Sequence, residues 1–222
     1  MSEAKKNILK RIREAIAKET PKPFPDLKMP EEVYYIDEAA TSLPEMFAKA
    51  FTEVSGQLIY CQDEEDFLYN FLDLSEAKQW QHIYCWNPDL QVLFQEIDFR
   101  KCRIGKKLDK AHAGLTFCEA LVARTGSIVL SSGLSAGRTL PIYPPVHLVV
   151  GYTSQLVYNI NDALQMVQQK YGNKLPSMIN LATGPSRTAD IEKTLVLGAH
   201  GPKAVYLFLI DDMTDYKKNA EQ

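Results

Sequence analysis

Leu58-Ile59-Tyr60-Cys61-Gln62-Asp63-Glu64-Glu65-Asp66-Phe67-Leu68-Tyr69-Asn70-Phe71-Leu72 changes its period in mid-course. The first four residues are a short apolar run of the kind that fills a buried strand. Asp63 to Asp66 then place carboxylates where the first turn of a helix favours negative charge, and Phe67, Leu68, Phe71 and Leu72 recur at helical spacing. The same order recurs downstream, where His82 to Trp86 reads as a strand and Asn87-Pro88 supply the cap and first residue of a short helix. Upstream, Leu43, Phe47, Ala50, Phe51 and Val54 mark a helix ending at Gly56. Strands separated by helices predict an α/β fold, with a mainly parallel sheet flanked by helices on both faces.

The second half is expected to continue in this manner. Thr116-Phe117-Cys118-Glu119 has the spacing of a capping box and predicts a helix from Phe117 to about Ala123, closed by Thr125-Gly126-Ser127. Ile128 to Leu130 reads as a strand and Ser131 to Arg138 as a loop, followed by a strand from Val146 to Val150 with His147 near its start. Asn161 to Lys170 is a predicted helix closed by Gly172. Residues 178–182 and Ala204 to Ile210 complete the strands.

Residues 1–20 read as an amphipathic helical arm, because Ile8, Leu9, Ile12, Ala15 and Ile16 form one stripe on a segment rich in lysine and arginine. Its basic face suits either solvent, with the stripe packed on the body, or docking to a partner subunit or an acidic surface. Pro21, Pro23, Pro25 and Pro30 make residues 21–40 a linker, leaving 41–216 as the α/β domain. The net charge of −3 gives no basic footprint, so nucleic acid is not an expected partner. No apolar run approaches the ~20 residues of a membrane helix and no leader is apparent, so the protein is expected in the cytoplasm. Cys61, Cys85, Cys102 and Cys118 lack any Cys-x-x-Cys pairing and read as small buried thiols, so no metal site is expected.

The chemistry concentrates in Thr183-Gly184-Pro185-Ser186-Arg187-Thr188-Ala189-Asp190-Ile191-Glu192, directly after the strand 178–182. Gly184, Ser186, Arg187 and Thr188 offer backbone, hydroxyl and guanidinium donors suited to a carboxylate or phosphate. The same residues also suit a tight turn leading to a short helix capped by Asp190, with Arg187 paired to Asp190 or Glu192. His200 and Gly201 lie in a second glycine-bounded loop, a setting that favours function. Thr125, Gly126, Ser127 and Arg138 could bring further donors to one cleft, since ligands in open α/β sheets gather at the carboxyl ends of strands. His147, between Val146 and Leu148, reads as a core or sheet-end residue.

Four segments taken in order, Ala123 to Ser127, Pro144 to His147, Gly184 to Glu192 and Leu197 to Pro202, resemble the lactate-utilization protein C family, the LUD or YkgG-like domain. The resemblance covers roughly residues 60–212 and implies a fold similar to the sugar-phosphate isomerase and CoA-transferase group. It also implies a non-cluster subunit of a system oxidising L-lactate to pyruvate, whose partner subunits carry the iron–sulfur clusters while this chain holds no cofactor. Arg124 stands where the family usually has glutamate, which puts any role of that glutamate in doubt. Two other readings stay open: a stand-alone enzyme acting on a sugar phosphate or CoA ester, and a structural adaptor docking through the N-terminal helix. An obvious nucleophile–base pair and a dinucleotide fingerprint are both missing.

Overall fold

A computed structural model describes residues 3–17, 42–105, 107–134, 136–191 and 194–213. Met1–Glu38 and Ala39–Gln222 are separate compact units. In the first unit the expected amphipathic helix forms as α1 (Glu3–Ile16), none of whose residues is buried. The proline linker lies outside the described residues.

The second unit begins with α2 (Leu43–Glu53), β1 (Gln57–Cys61), α3 (Glu64–Ala77), β2 (Ile83–Cys85) and α4 (Pro88–Glu96). The stops and starts match the local chemistry. The Asp63 carboxylate accepts from Asp66 N at 2.8 Å, and Asn87 Oδ1 accepts from Asp89 N at 2.9 Å, so each helix begins on an oxygen that satisfies an otherwise unpaired N–H. Next come β3 (Cys102–Arg103), β4 (Ala113–Phe117), β5 (Ala120–Val122), β6 (Ser127–Ser131) and β7 (Val146–Tyr152). The described chain ends with β8 (Leu156–Val157), α5 (Ile160–Tyr171), β9 (Ile179–Ala182), β10 (Arg187–Ile191), β11 (Thr194–Leu197) and β12 (Ala204–Ile210).

Among the described residues, six strands form one sheet in the order β1-β12-β7-β4-β2-β3, every pair parallel. Between the edge strand β1 and β7 lies β12, Ala-Val-Tyr-Leu-Phe-Leu-Ile, and the two-residue period of a strand sorts these side chains to opposite faces. Tyr206, Phe208 and Ile210 join the aromatic core beneath α3 and α4, built from Phe67, Phe71, Leu90 and Phe94. Val205, Leu207 and Leu209 join a second core with Phe47 and Phe51 of α2 and with Leu121, Ile128 and Leu130. Each buried phenylalanine contributes about 1.5–3 kcal/mol, so both faces of β12 anchor the fold.

That second core departs from expectation. One face of the parallel sheet is covered by a second sheet, in the order β8-β5-β6-β9, together with α2. The outer side of this sheet carries α5 through Ala163 and Val167. The predicted helix from Phe117 to Ala123 does not exist; the segment runs from the end of β4 into β5. Thr116 and Glu119 are spent elsewhere. Thr116 Oγ1 meets His147 Nε2 at 2.9 Å, and the Glu119 carboxylate accepts from Ser131 Oγ, from Tyr171 Oη at 2.7 Å and from Lys170 Nζ at 2.8 Å. Neither oxygen remains to cap a helix. The short helix expected at Asp190 is also replaced, because Arg187–Ile191 pairs antiparallel with Thr194–Leu197 as a hairpin. Glu192 lies outside the described residues.

Candidate functional site

The stretch after β9 and the loop before β12 are stapled to each other through the backbone. Ser186 N donates to Pro202 O and Gly198 N donates to Ser186 O, both at 2.9 Å. Gly201 permits the approach, since a Cβ there would lie 3.0 Å from Ser186 Cβ. Between the two segments is a cleft of about 360 Å³. Of the residues singled out from sequence, Gly184, Ser186, Arg187, His200 and Gly201 line it, and Asn180, Thr183 and His147 join them.

The cleft opens at the carboxyl end of β9 but at the amino ends of β7 and β12, since His147 is the second residue of β7 and Pro202 precedes β12. For the parallel sheet this reverses the expected position. The carboxyl end of that sheet is acidic. A cavity of about 120 Å³ there is lined by Glu64, Asp89 and Tyr152 among apolar residues, and Asp211 lines a neighbouring one. Nearby, Asp212 stays charged: burial opposes its ionisation, but hydrogen bonds from Ser154 and Thr153 outweigh this and hold its pKa below the usual value. The first turns of α3 and α4 are filled by the protein's own carboxylates. An anion is disfavoured at that end.

The amino-end cleft has the opposite character. Its described lining includes one guanidinium and two imidazoles and no carboxylate. Arg187 Nη2 donates to Val54 O at 2.8 Å and to Ser55 Oγ at 2.7 Å, which fixes the side chain on the carboxyl end of α2, where a cation is favoured by the helix dipole. Asp190 and Glu192, the alternative partners read from sequence, have no described side chains. His200 is exposed at the cleft, whereas His147 is buried. Burial pushes the His147 pKa down to about 3, so the ring is neutral near neutral pH.

The other sequence candidates fall around the cleft. Thr125 Oγ1, Ser127 Oγ and Thr183 Oγ1 form a chain of hydroxyls with steps of 2.7 and 2.8 Å, so Thr125 and Ser127 support a lining residue without lining the cleft. Gly126 is structural: with φ at +60°, it packs where a Cβ would lie 2.4 Å from the backbone N of Phe51. Thr188 belongs to the hairpin, paired with Val196, and does not line the cleft. Arg138 also stands apart, its Nη2 donating to Ser177 Oγ at 2.6 Å. Arg124 Nη2 donates to Asn159 Oδ1, the cap of α5, so this charge too lies outside the cleft lining. His147 was legible only as a core residue, since a Val-His-Leu run carries no sign of the cleft beside it.

Among the described residues no three histidine, cysteine, aspartate or glutamate side chains converge as a metal site. No described helix is long and apolar enough to cross a membrane. The cysteines are free thiols; Cys61, Cys85 and Cys118 are buried and Cys102 partly so.

Comparison with known proteins adds a lineage. The chain is 38% identical over 183 residues to lactate utilization protein C of Geobacillus sp. (strain WCH70), covering 79% of this chain and 72% of that protein. It is 38% identical over 109 residues to lactate utilization protein C of Bacillus subtilis (strain 168), where the match takes in 48% of this chain but only 45% of the relative. The chain thus spans about half the length of some curated relatives that it matches. The crystal structure of a DUF162 family protein from Deinococcus radiodurans superposes with a TM-score of 0.55 at 17% identity, over 76% of this chain and 96% of that one, which shows a shared fold. The LUD domain family model matches residues 44–210, nearly the whole α/β body, and the chain belongs to that family.

Proposed function

We propose that the protein serves lactate utilization as a subunit without clusters, working beside iron–sulfur subunits that oxidise L-lactate to pyruvate, and that it binds a small anion in the cleft around Ser186, Arg187 and His200. The names of its relatives support the pathway. The observation that carries the binding role is the cleft lining itself: a guanidinium, two imidazoles and the hydroxyls of Thr183 and Ser186, with no carboxylate among them. Such a set attracts negative charge and gives it directional donors. The carboxyl end of the parallel sheet is the contrast, since acidic side chains line its cavities. On this reading the cleft recognises a carboxylate or another small anion handled by the complex, and electron transfer belongs to the partners.

The test has two arms. Deleting the gene is expected to abolish growth on L-lactate, and a tagged chain is expected to co-purify with iron–sulfur subunits; undiminished growth on lactate overturns the pathway role. Calorimetry on the purified chain is expected to show saturable binding of L-lactate or pyruvate that Arg187→Ala combined with His200→Ala weakens at least tenfold, or about 1.4 kcal/mol. Unaided turnover of a sugar phosphate or CoA ester by the chain would instead establish it as an independent enzyme.

A further inference from the structure

His147 is the polar exception in an apolar sheet. It stands on β7 between Gly114 of β4 and Val205 of β12, and it is only 1% exposed. A buried imidazole surrounded by aliphatic side chains loses its hydration, a loss that only hydrogen bonds offset. The protein supplies one such bond, between Nε2 and Thr116 Oγ1 at 2.9 Å. The ring has a second nitrogen, Nδ1, and no described residue bonds to it. The residue lines the cleft, so a ring anchored at Nε2, whose second nitrogen has no described partner, borders the space the anion would occupy.

The division of labour follows from charge. Arg187, His200 and Ser186 are the groups that can meet a negative charge from the partly exposed side of the cleft. His147 offers a single directional hydrogen bond from a buried position. We propose that His147 reads an uncharged oxygen carried next to the ligand's anionic group, so that the cleft selects a short carboxylate with a hydroxyl or carbonyl on the adjacent carbon over the same carboxylate without it. This rests on the anion-binding reading above and specifies its ligand class. Thr116 sets the ring's role. If the Thr116 hydroxyl donates to Nε2, Nδ1 carries the proton and can donate to a carbonyl or a hydroxyl; if Nε2 donates, Nδ1 can only accept, and a hydroxyl alone will satisfy it. Either way the group is a positioning and selecting residue, and no proton changes hands.

Calorimetry on the full chain with L-lactate, pyruvate and propionate tests this. Propionate has the carboxylate and the carbon chain but lacks the second oxygen. Lactate, pyruvate or both are expected to bind about tenfold more tightly than propionate, the discrimination one well-placed hydrogen bond supplies. His147→Phe is expected to remove the difference between the anions. Thr116→Val, which keeps shape and removes the orienting hydroxyl, is expected to reduce the difference severalfold and covers the case in which His147→Phe does not fold. In the wild type, the His147 ring nitrogen resonances are expected to shift on adding lactate and not on adding propionate. Equal binding of all three anions, or discrimination that is undiminished in a folded His147 or Thr116 variant, overturns the role of His147 and leaves the anion site standing. Saturable binding by none of them overturns both.

Discussion

Arg187 Nη2 donates to Val54 O at 2.8 Å, joining the first residue of the β10 hairpin strand to the residue that caps the end of α2. Gly184 makes the same junction by contact: its φ is +78°, and a Cβ there would lie 2.3 Å from the same carbonyl oxygen. One peptide carbonyl is therefore approached by two residues of the loop that forms the cleft. The cleft wall is held from behind by α2, and changes at this junction move the anion site and the fold together.

Gly184→Ala is expected to be the most harmful single-methyl change at this junction, because the new side chain meets both a strained backbone conformation and an immovable carbonyl. A loss of about 2–4 kcal/mol is expected, roughly 4–16 °C in melting temperature for a body of this size. Arg187→Ala leaves more of the packing intact and should lose only about 1 kcal/mol, since its side chain is exposed. Thermal unfolding of the two variants checks the order; an equal or larger loss for Arg187→Ala would show that the guanidinium, not the close approach, secures the wall.

The Glu119 carboxylate is almost wholly buried and binds three donors, while its partner Lys170 is half exposed. Breaking the ion pair alone lets Lys170 return to water. Glu119→Gln keeps an oxygen for Tyr171 and Ser131 and should lose about 1 kcal/mol, whereas Glu119→Ala strands both hydroxyls and opens a void, for a loss of about 3 kcal/mol. Chemical denaturation of the two variants separates these contributions, and equal losses would place the stabilisation in the charge.

The same residue explains where sequence reading succeeded and failed. Asp63, Asn87 and the apolar spacing of Phe67 and Phe71 act on neighbours a turn away, so the α/β alternation of the first half could be read locally. Thr116 and Glu119 find their partners 31, 51 and 52 residues away, and a capping-box spacing conceals that completely. The second sheet was missed with them. In the cleft, Gly184, Ser186, Arg187, His200 and Gly201 were legible because loop chemistry announces itself. Thr188 does not line the cleft, because the chain becomes a hairpin strand from Arg187 onward, which a loop reading does not reveal.

Cys102 is expected to be the most reactive thiol. The neighbouring Cys85 thiol lowers its pKa despite partial burial, with Arg103 adding to the effect; Cys85 is raised by the same neighbour and by burial. Burial raises Cys61 and Cys118 to about 12. Iodoacetamide at pH 8 followed by peptide mass mapping should label Cys102 first, and Cys85→Ala should slow that labelling severalfold. Faster labelling of Cys61 or Cys118 would contradict the buried positions of those two thiols.

His147 gives the fold a defined acid sensitivity. Its ordinary pKa of 6.5 is pushed down to about 3 by desolvation in the folded chain. The folded pKa thus lies below the unfolded one, and between the two the unfolded chain binds the extra proton. Stability from this residue is complete above pH 6.5 and is lost as pH falls toward 3, at up to about 1.4 kcal/mol per pH unit. His147→Gln removes the titrating group while keeping a polar side chain that can reach Thr116. Urea unfolding between pH 7 and 4.5 should show wild-type stability falling more steeply than that of the variant, with the two curves diverging only below about pH 6.5. Parallel curves would mean that the ring is hydrated and charged in the folded state, and the cleft would then carry a cation at its base.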